Sequence, residues 1–380
     1  MVSTPPPRAS GRINSLDGLR GVAAIVVLLH HWLLIAQPWL QGTVVWAWIS
    51  QSPAKLITAG NEAVLVFFVL SGLVVVLPVF RPGFSWMGFL SARVVRLYGP
   101  VIAALLFAAL LILLVPRDPS RMPAGSWMTD THATQVYPPS LLAQMTLIPR
   151  SYPLNNPLWS LHWELVYSIL LPFATALALL VRRWALTAVL ACAALSLIGR
   201  MLEQPELLYF PIFLMGTIMA TRLPDMLAWV ERPRPRWFMP LFAAGSVLLL
   251  IASWLARPIA PSGGILNTVL WSLAAPGAAG LVVVSLAWAP IMRFFETPVM
   301  QWLGKISFSL YLVHVPILAT LAYAVGSQNW QLVGLLGIPL SLLVAWGFYQ
   351  LVEAKMHQAA RRVHRAVAAR ARRRANEIAP

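Results

Sequence analysis

The chain has 380 residues, of which 59% are hydrophobic and only 11% charged, with a mean hydropathy of +0.73. Soluble domains carry about 25% charged residues, so there is too little polar surface here to cover a water-soluble enzyme, and the apolar residues must face lipid. A net charge of +16 is compatible with nucleic-acid binding. However, the basic residues fall in short runs between apolar segments, the pattern of the positive-inside rule, which argues against a nucleic-acid partner.

Residues 1–12 are Pro-rich and are expected to be disordered. Arg8 and Arg12 precede an apolar stretch as in a signal peptide. Arg20, His30 and His31 lie in or beside that stretch and no small-residue cleavage site follows, so a retained first span is expected. Ten apolar segments then approach the roughly 20 residues needed to cross a bilayer. They run over 18–38, 60–80, 97–116, 158–181, 184–200, 207–222, 237–256, 265–289, 306–325 and 331–352. With both termini taken as cytoplasmic, 22 Arg and Lys residues fall inside and 6 outside, a split that supports this orientation. The expectation is an all-α integral membrane protein of about ten transmembrane helices around a central channel. A membrane domain would cover 13–353 and a basic cytoplasmic tail 354–380.

Two loops and the tail stand out. The outward loop 117–157 is long and rich in Pro, Thr and Ser, and such loops are either functional or disordered. The cytoplasmic loop 81–96 carries Arg81, Arg93 and Arg96 beside Trp86. The tail reads as a basic helix with Arg361, Arg362, Arg365, Arg370, Arg372, Arg373 and Arg374, either solvated or resting on anionic lipid. Cys192 is the only cysteine, so no disulfide framework or cysteine metal site forms within one chain. No metal is expected, and no internal or inverted repeat is visible.

Ionisable groups inside a membrane are costly and are functional candidates. Arg20 and His31, 11 residues apart, share a face of the first span about 16 Å apart along the axis. That face suits an anionic group at the inner surface and a base deeper inside. A snorkelling anchor for Arg20 and an interhelical hydrogen bond for His31 are the plain alternatives. His30 points elsewhere, toward packing. Ser71-Gly72 in the second span permits close helix approach or an opening toward a cavity. Arg93 and Arg96 are one turn apart and match phosphate geometry, or simply follow the inside bias. Ser160, Glu164 and Ser168 share a face of the fourth span, with His162 opposite. Glu164 is expected near the depth of His31, which would be its natural partner, either catalytically or as a structural pair. In the ninth span Ser307, Tyr311 and His314 form one polar stripe. Gly-x-Ser-x-Gly, Walker and His-Glu-x-x-His motifs are absent from the sequence, so soluble serine, ATP or zincin chemistry has no support.

Five patterns occur in order: Asp17-Gly18-Leu19-Arg20 with His31, Phe67-Phe68-x-x-Ser71-Gly72, Arg93-x-x-Arg96, Trp159-Ser160-x-x-x-Glu164 and Ser309-x-Tyr311-Leu312-x-His314. Together they resemble the membrane acyltransferase-3 family from about residue 13 to about residue 353. The resemblance implies an integral-membrane O-acyltransferase of a bacterial inner membrane. It would move an acyl group, typically acetyl, from cytoplasmic acyl-CoA to a hydroxyl of a glycan, lipid-linked sugar or other small acceptor. It makes His31 catalytic and places Arg20, Arg93 and Arg96 on the donor. Two features depart from some members: the histidine is doubled, and only about 27 residues follow the last span, so the chain is expected to work alone or with separate partners. The accompanying mechanism has His31 as general base with Glu164 orienting its ring. Ser71, Ser160 and Tyr311 serve as oxyanion donors, and Trp159 and His314 join them in the substrate site. An acyl-histidine intermediate fits the same residues. The alternative function is a transporter of a glycan or activated group without acyl transfer.

Overall fold

The described residues of this computed structural model are 13–149, 151–230 and 232–378, with side chains to residue 370. The Pro-rich segment 1–12, Arg150, and the side chains of Arg372, Arg373 and Arg374 lie outside them. No strand occurs among the described residues. In lipid a helix satisfies its own backbone groups within one segment, and runs of Leu, Val, Ala and Ile of this length have no cheaper solution.

The long helices are α1 (Asn14–Leu40), α2 (Gly60–Val76), α3 (Trp86–Leu114), α4 (Leu158–Val181), α5 (Ala185–Met201) and α6 (Pro205–Thr221). They continue as α7 (Phe238–Leu255), α8 (Ile265–Ala287, interrupted at Leu273), α9 (Pro298–Val325), α10 (Trp330–Phe348) and α11 (Ala354–Ile378). Each of the ten expected segments is helical. Eight helices are long and apolar enough to cross a membrane, or nine with one bent pair. Two places account for the difference from ten. Arg182–Trp184 continues α4 into α5 as a 3-10 turn, so the two form one helical stretch of 44 residues. Helix α6 is bent by 68° against the short helix Leu223–Val230.

Helices α1 and α9 form the most intimate pair, and glycine permits it. A Cβ added at Gly21 would lie 2.6 Å from the Gly304 backbone nitrogen, and one at Gly304 would overlap the Asp17 carbonyl. Gly72 and Gly216 serve α2 and α6 in the same way, against Phe213 and Val69. Tyr167 Oη and Thr217 Oγ1, 2.6 Å apart, then tie α4 to α6.

The loop 117–157 is folded. It contains the short helices Trp127–Thr131 and Pro138–Met145 and buries Met128, Leu147, Tyr152 and Leu154. The Arg117 guanidinium donates to Ala133 O at 2.8 Å, and Asn155 Nδ2 donates to Leu312 O in the middle of α9 at 2.8 Å. The loop is therefore a lid over one end of the bundle, called here the lid end. The opposite end, where Arg20, Arg93 and Arg96 sit, is the basic end. There a π-helical turn, Tyr349–Glu353, joins α10 to α11. Helix α11 returns along the start of α3, with Met356 against Gly99 and His364 against Gly88. The basic tail is thus a packed helix against α3.

Two outcomes are expected. Gly304→Ala must push α1 off α9, at a cost of about 1–3 kcal/mol. Gly347→Ala, with nothing within 4 Å of the new methyl, should leave the thermal midpoint in detergent unchanged. In the lid, burial first and the Arg117 guanidinium second push His132 from 6.5 down to about 3. The unfolded lid therefore binds a proton between pH 6.5 and about 3 that the folded lid refuses. Lid stability is complete above that window and falls as the pH drops through it, by at most about 1.4 kcal/mol per pH unit. Proteolysis within 117–157 should be faster at about pH 5 than at about pH 7.5, and His132→Gln should remove the difference.

Candidate active site

At the basic end a cavity of about 780 Å³ opens between α1, α3, α9 and α11. A narrower extension of about 100 Å³ leads inward from it. The two share Arg20, Val74, Arg93, Arg96 and Ser307 in their walls, so they form one tapering space. The wide part is lined by seven Arg or Lys side chains and by two carboxylates, Asp17 and Glu353. The narrow part has Phe67, Phe68, Leu70 and Val75 on one side and Ser71, Ser160, Glu164 and Tyr311 among its polar groups.

The helical start of α3 sets the arginine pair. Ser85 caps it, accepting from Gly88 N at 3.3 Å, so residues 86–96 are helix and both guanidinium groups project to one side. Arg93 is held by α4. Its Nη2 donates to Glu164 Oε1 at 2.5 Å and its Nε to Ser168 Oγ at 2.6 Å. Ser71 Oγ donates to the same Glu164 oxygen at 3.4 Å. Arg96 extends into the cavity without an ion-pair partner among the described residues. Arg20 lies 3.9 Å from Asp17 on its own helix. Glu353, brought to the cavity wall by the π turn, accepts from Ser309 Oγ at 2.6 Å.

The taper ends at Tyr311, whose hydroxyl is 2.6 Å from Ser160 Oγ and donates to Pro157 O at 3.1 Å. The Tyr311 ring centroid is 6.0 Å from that of His314. His314 Nε2 is 3.1 Å from His31 Nδ1. Beyond His31 comes the lid, with Trp127 5.2 Å away, ring to ring, and His132 4.4 Å further on from Trp127. His31 and His314 are both buried.

Hydrogen bonding fixes the tautomers of this pair. His314 Nδ1 is 2.8 Å from Leu310 O. A carbonyl only accepts, so that nitrogen carries the proton and neutral His314 has its lone pair on Nε2. His31 Nδ1 faces that lone pair and also Val27 O at 2.9 Å; both are acceptors, so it too carries a proton. The lone pair of His31 is therefore on Nε2, which makes no hydrogen bond to a described residue. Neutral His31 thus presents a free Nε2 lone pair, and its ring orientation is held by His314 and Val27 O.

The structure thus gathers Arg20, Arg93, Arg96, Ser71, Ser160, Glu164 and Tyr311 around one cavity and places His314 and His31 behind Tyr311. It does not pair Glu164 with His31. Glu164 lies about one helical turn below Ser160 toward the basic end, where the Arg93 guanidinium is its counter-charge. A carboxylate out of water requires such a partner. Trp159 does not line the cavity but packs with Phe68 and Tyr209, at 6.3 and 5.4 Å between rings. His30 Nδ1 donates to Thr58 O at 3.1 Å, and its ring packs on Gly60; this ties α1 to α2. His162 donates to Leu147 O in the lid at 2.6 Å. Glu62 accepts from Trp254 Nε1 at 2.8 Å, outside the cavity. Sequence reasoning missed Glu353, Arg361, His364 and Arg365 in the cavity wall, and Trp127 and His132 over His31. A carboxylate just past the last span was the available signal for Glu353. The lid residues have no local sequence signal, because only the fold of the loop brings them in.

A family model described as an acyltransferase domain matches residues 13–350. PaAT-1, an O-acetyltransferase of Phomopsis amygdali, is 26% identical over 406 aligned residues, covering 87% of this chain and 78% of the relative. No solved structure matches the chain. The family match takes in α1 to α10, the cavity walls up to residue 350 and both histidines, and on that ground the chain belongs to the acyltransferase-3 family and is an integral-membrane acyltransferase.

Proposed function

We propose that the protein transfers an acetyl group from cytoplasmic acetyl-CoA to a hydroxyl of a glycan, lipid-linked sugar or small-molecule acceptor. Ten spans with both termini in the cytoplasm, most naturally in a bacterial inner membrane, complete the reading. The orientation follows from the basic residues at the cavity end of the bundle and the positive-inside rule, and the count of ten takes α4 and α5 as two spans and α6 as one. The observation that carries it is the shape and charge of the tapering cavity. A volume of about 780 Å³ falls in the range of small-molecule sites. Its wide part is strongly basic and suits the phosphates of a nucleotide, whereas its narrow part is largely apolar and suits a thin uncharged arm. An acyl-CoA has those two parts in that order. The name of the fungal relative, an O-acetyltransferase, supports acetyl as the group moved.

In this reading Arg20, Arg93 and Arg96 hold phosphate oxygens at the junction of the two parts, with Glu164 fixing Arg93 in place. Ser71, Ser160 and Tyr311 offer hydroxyls to the thioester carbonyl oxygen as negative charge develops on it. His31 Nε2 removes the proton of the acceptor hydroxyl. The oxygen then bonds to the acyl carbon, the carbon–sulfur bond breaks, and the His31 imidazolium returns the proton to the leaving thiolate. His314 Nε2 and Val27 O accept from His31 Nδ1–H throughout, which stabilises the imidazolium while it lasts. The lid, with Trp127 over His31, keeps bulk water from competing as acceptor.

Release of free CoA thiol from acetyl-CoA by purified protein with an acceptor present tests the reading. His31→Ala should remain folded and lose about 10²–10⁴-fold in rate; undiminished thiol release by that variant, or none by wild type with any hydroxyl acceptor, would sink it. His314→Ala should lower kcat by roughly 10- to 100-fold with the donor KM unchanged, because it releases the orientation of His31. Glu164→Gln should instead raise the donor KM, because it frees Arg93. A kcat loss at unchanged KM in Glu164→Gln would return this carboxylate to His31.

A further inference from the structure

The C-terminal helix α11 supplies a wall of the cavity that neither the family match nor the acyl-transfer chemistry requires. The family model ends at residue 350, four residues before α11 begins. Arg361 and Arg365 are four residues apart, so they lie on one helical face. Both line the wide cavity, together with His364 between them. Arg81, from the turn before α3, and Lys305 of α9 line the same wide cavity. The contacts of His364 with Gly88 and of Met356 with Gly99 hold this face against α3.

The charges within the cavity are segregated. Its two carboxylates sit at the inner side. Asp17 is beside Arg20, and Glu353 accepts from Ser309 with His357 3.5 Å away. The rim formed by Arg81, Arg361 and Arg365 has no carboxylate among the described lining residues. The cavity therefore has two cationic sites in series, an inner one at Arg20, Arg93 and Arg96 and an outer one at the rim.

We infer that the outer site, built by α11, binds the phosphate on the ribose of the CoA nucleotide, and that this helix makes the enzyme specific for 3′-phosphorylated CoA thioesters. The inference rests on the acyl-CoA reading above. Coenzyme A carries a diphosphate between its pantetheine arm and its nucleoside, and a separate phosphate on the ribose at the end farthest from the thioester. With the thioester directed up the taper toward His31, the diphosphate meets the inner arginines and the ribose phosphate is the group left at the rim. Two arginines one turn apart suit a phosphate's several oxygens. The π geometry at the end of α10 also has a purpose on this view. The π turn at Tyr349–Glu353 redirects the chain so that α11 runs beside the cavity, and such turns commonly mark functional sites.

The experiment compares acetyl-CoA with acetyl-dephospho-CoA, which lacks only the ribose phosphate, on the full-length protein in nanodiscs with and without anionic lipid. The readout is the ratio of kcat/KM for the two donors. Wild type should favour acetyl-CoA by roughly 10- to 100-fold, the range for charge-assisted hydrogen bonds to a phosphate. Arg361→Gln with Arg365→Gln should bring the ratio near one, chiefly by raising the KM for acetyl-CoA. Arg361→Lys with Arg365→Lys should restore part of it. Arg362→Gln, on a neighbouring residue outside the cavity wall, should keep the wild-type ratio. A ratio near one in wild type, or a ratio unaltered by the double variant, overturns the assignment. An equal loss with both donors that depends on anionic lipid shows instead that the helix faces lipid headgroups, and also overturns it. Failure of the donor reading looks different: wild type then turns over neither CoA thioester.

Discussion

The architecture depends on one steric constraint, the crossing of α1 and α9 at Gly21 and Gly304. Both helices run from the basic end toward the lid end, and at that crossing neither has a side chain to hold the backbones apart. His31 lies ten residues beyond Gly21, and His314 lies ten residues beyond Gly304. Equal offsets on two parallel helices give equal rise, about 15 Å, so the two imidazoles arrive at the same height. Without lateral hydrophobic drive in lipid, close backbone packing is the main force that can fix such a register. The 3.1 Å contact between the rings is a consequence of glycine placement three turns away.

The second organising feature is the sorting of charge along the cavity. Arginines cluster at the basic end, while the groups nearest His31 are uncharged or aromatic. Glu164 is the one carboxylate in the narrow part, and it is bound to Arg93 and Ser71. A free carboxylate beside the histidines would compete with them for a proton. Glu164 is neutralised by Arg93, and the two imidazoles contact each other instead. Membership of the acyltransferase-3 family makes the chain an acyltransferase, and in the proposed mechanism a second histidine, in place of an acid, orients the base.

Much of this was legible in the sequence. The apolar runs appear as helices, because a stretch of about 20 apolar residues in lipid has almost no other way to satisfy its backbone. The Arg93–Arg96 and Ser160–Glu164 spacings place their side chains on common faces, since helical periodicity depends only on position in the chain. The Ser307, Tyr311 and His314 stripe likewise faces the interior. The joining of α4 to α5 without a loop was not legible, because Arg182-Arg183-Trp184 reads equally well as a break. The composition of the tail alone describes any basic surface helix, solvated or lipid-bound. Only the contacts of Met356 and His364 with glycines of α3 make it a cavity wall.

By itself the sequence determined the class of protein, the helical segments, the residues that share each helical face and the family to which the chain is similar. These are local quantities, set by hydropathy, 3.6-residue periodicity and motif order. The tertiary structure alone decided the partners: Glu164 with Arg93, His31 with His314, the lid over both, and α11 beside the cavity. Which faces meet, and at what height, depends on where small residues let helices approach and on how a loop or a π turn redirects the chain. That information is distributed over segments hundreds of residues apart and is written in no single one of them.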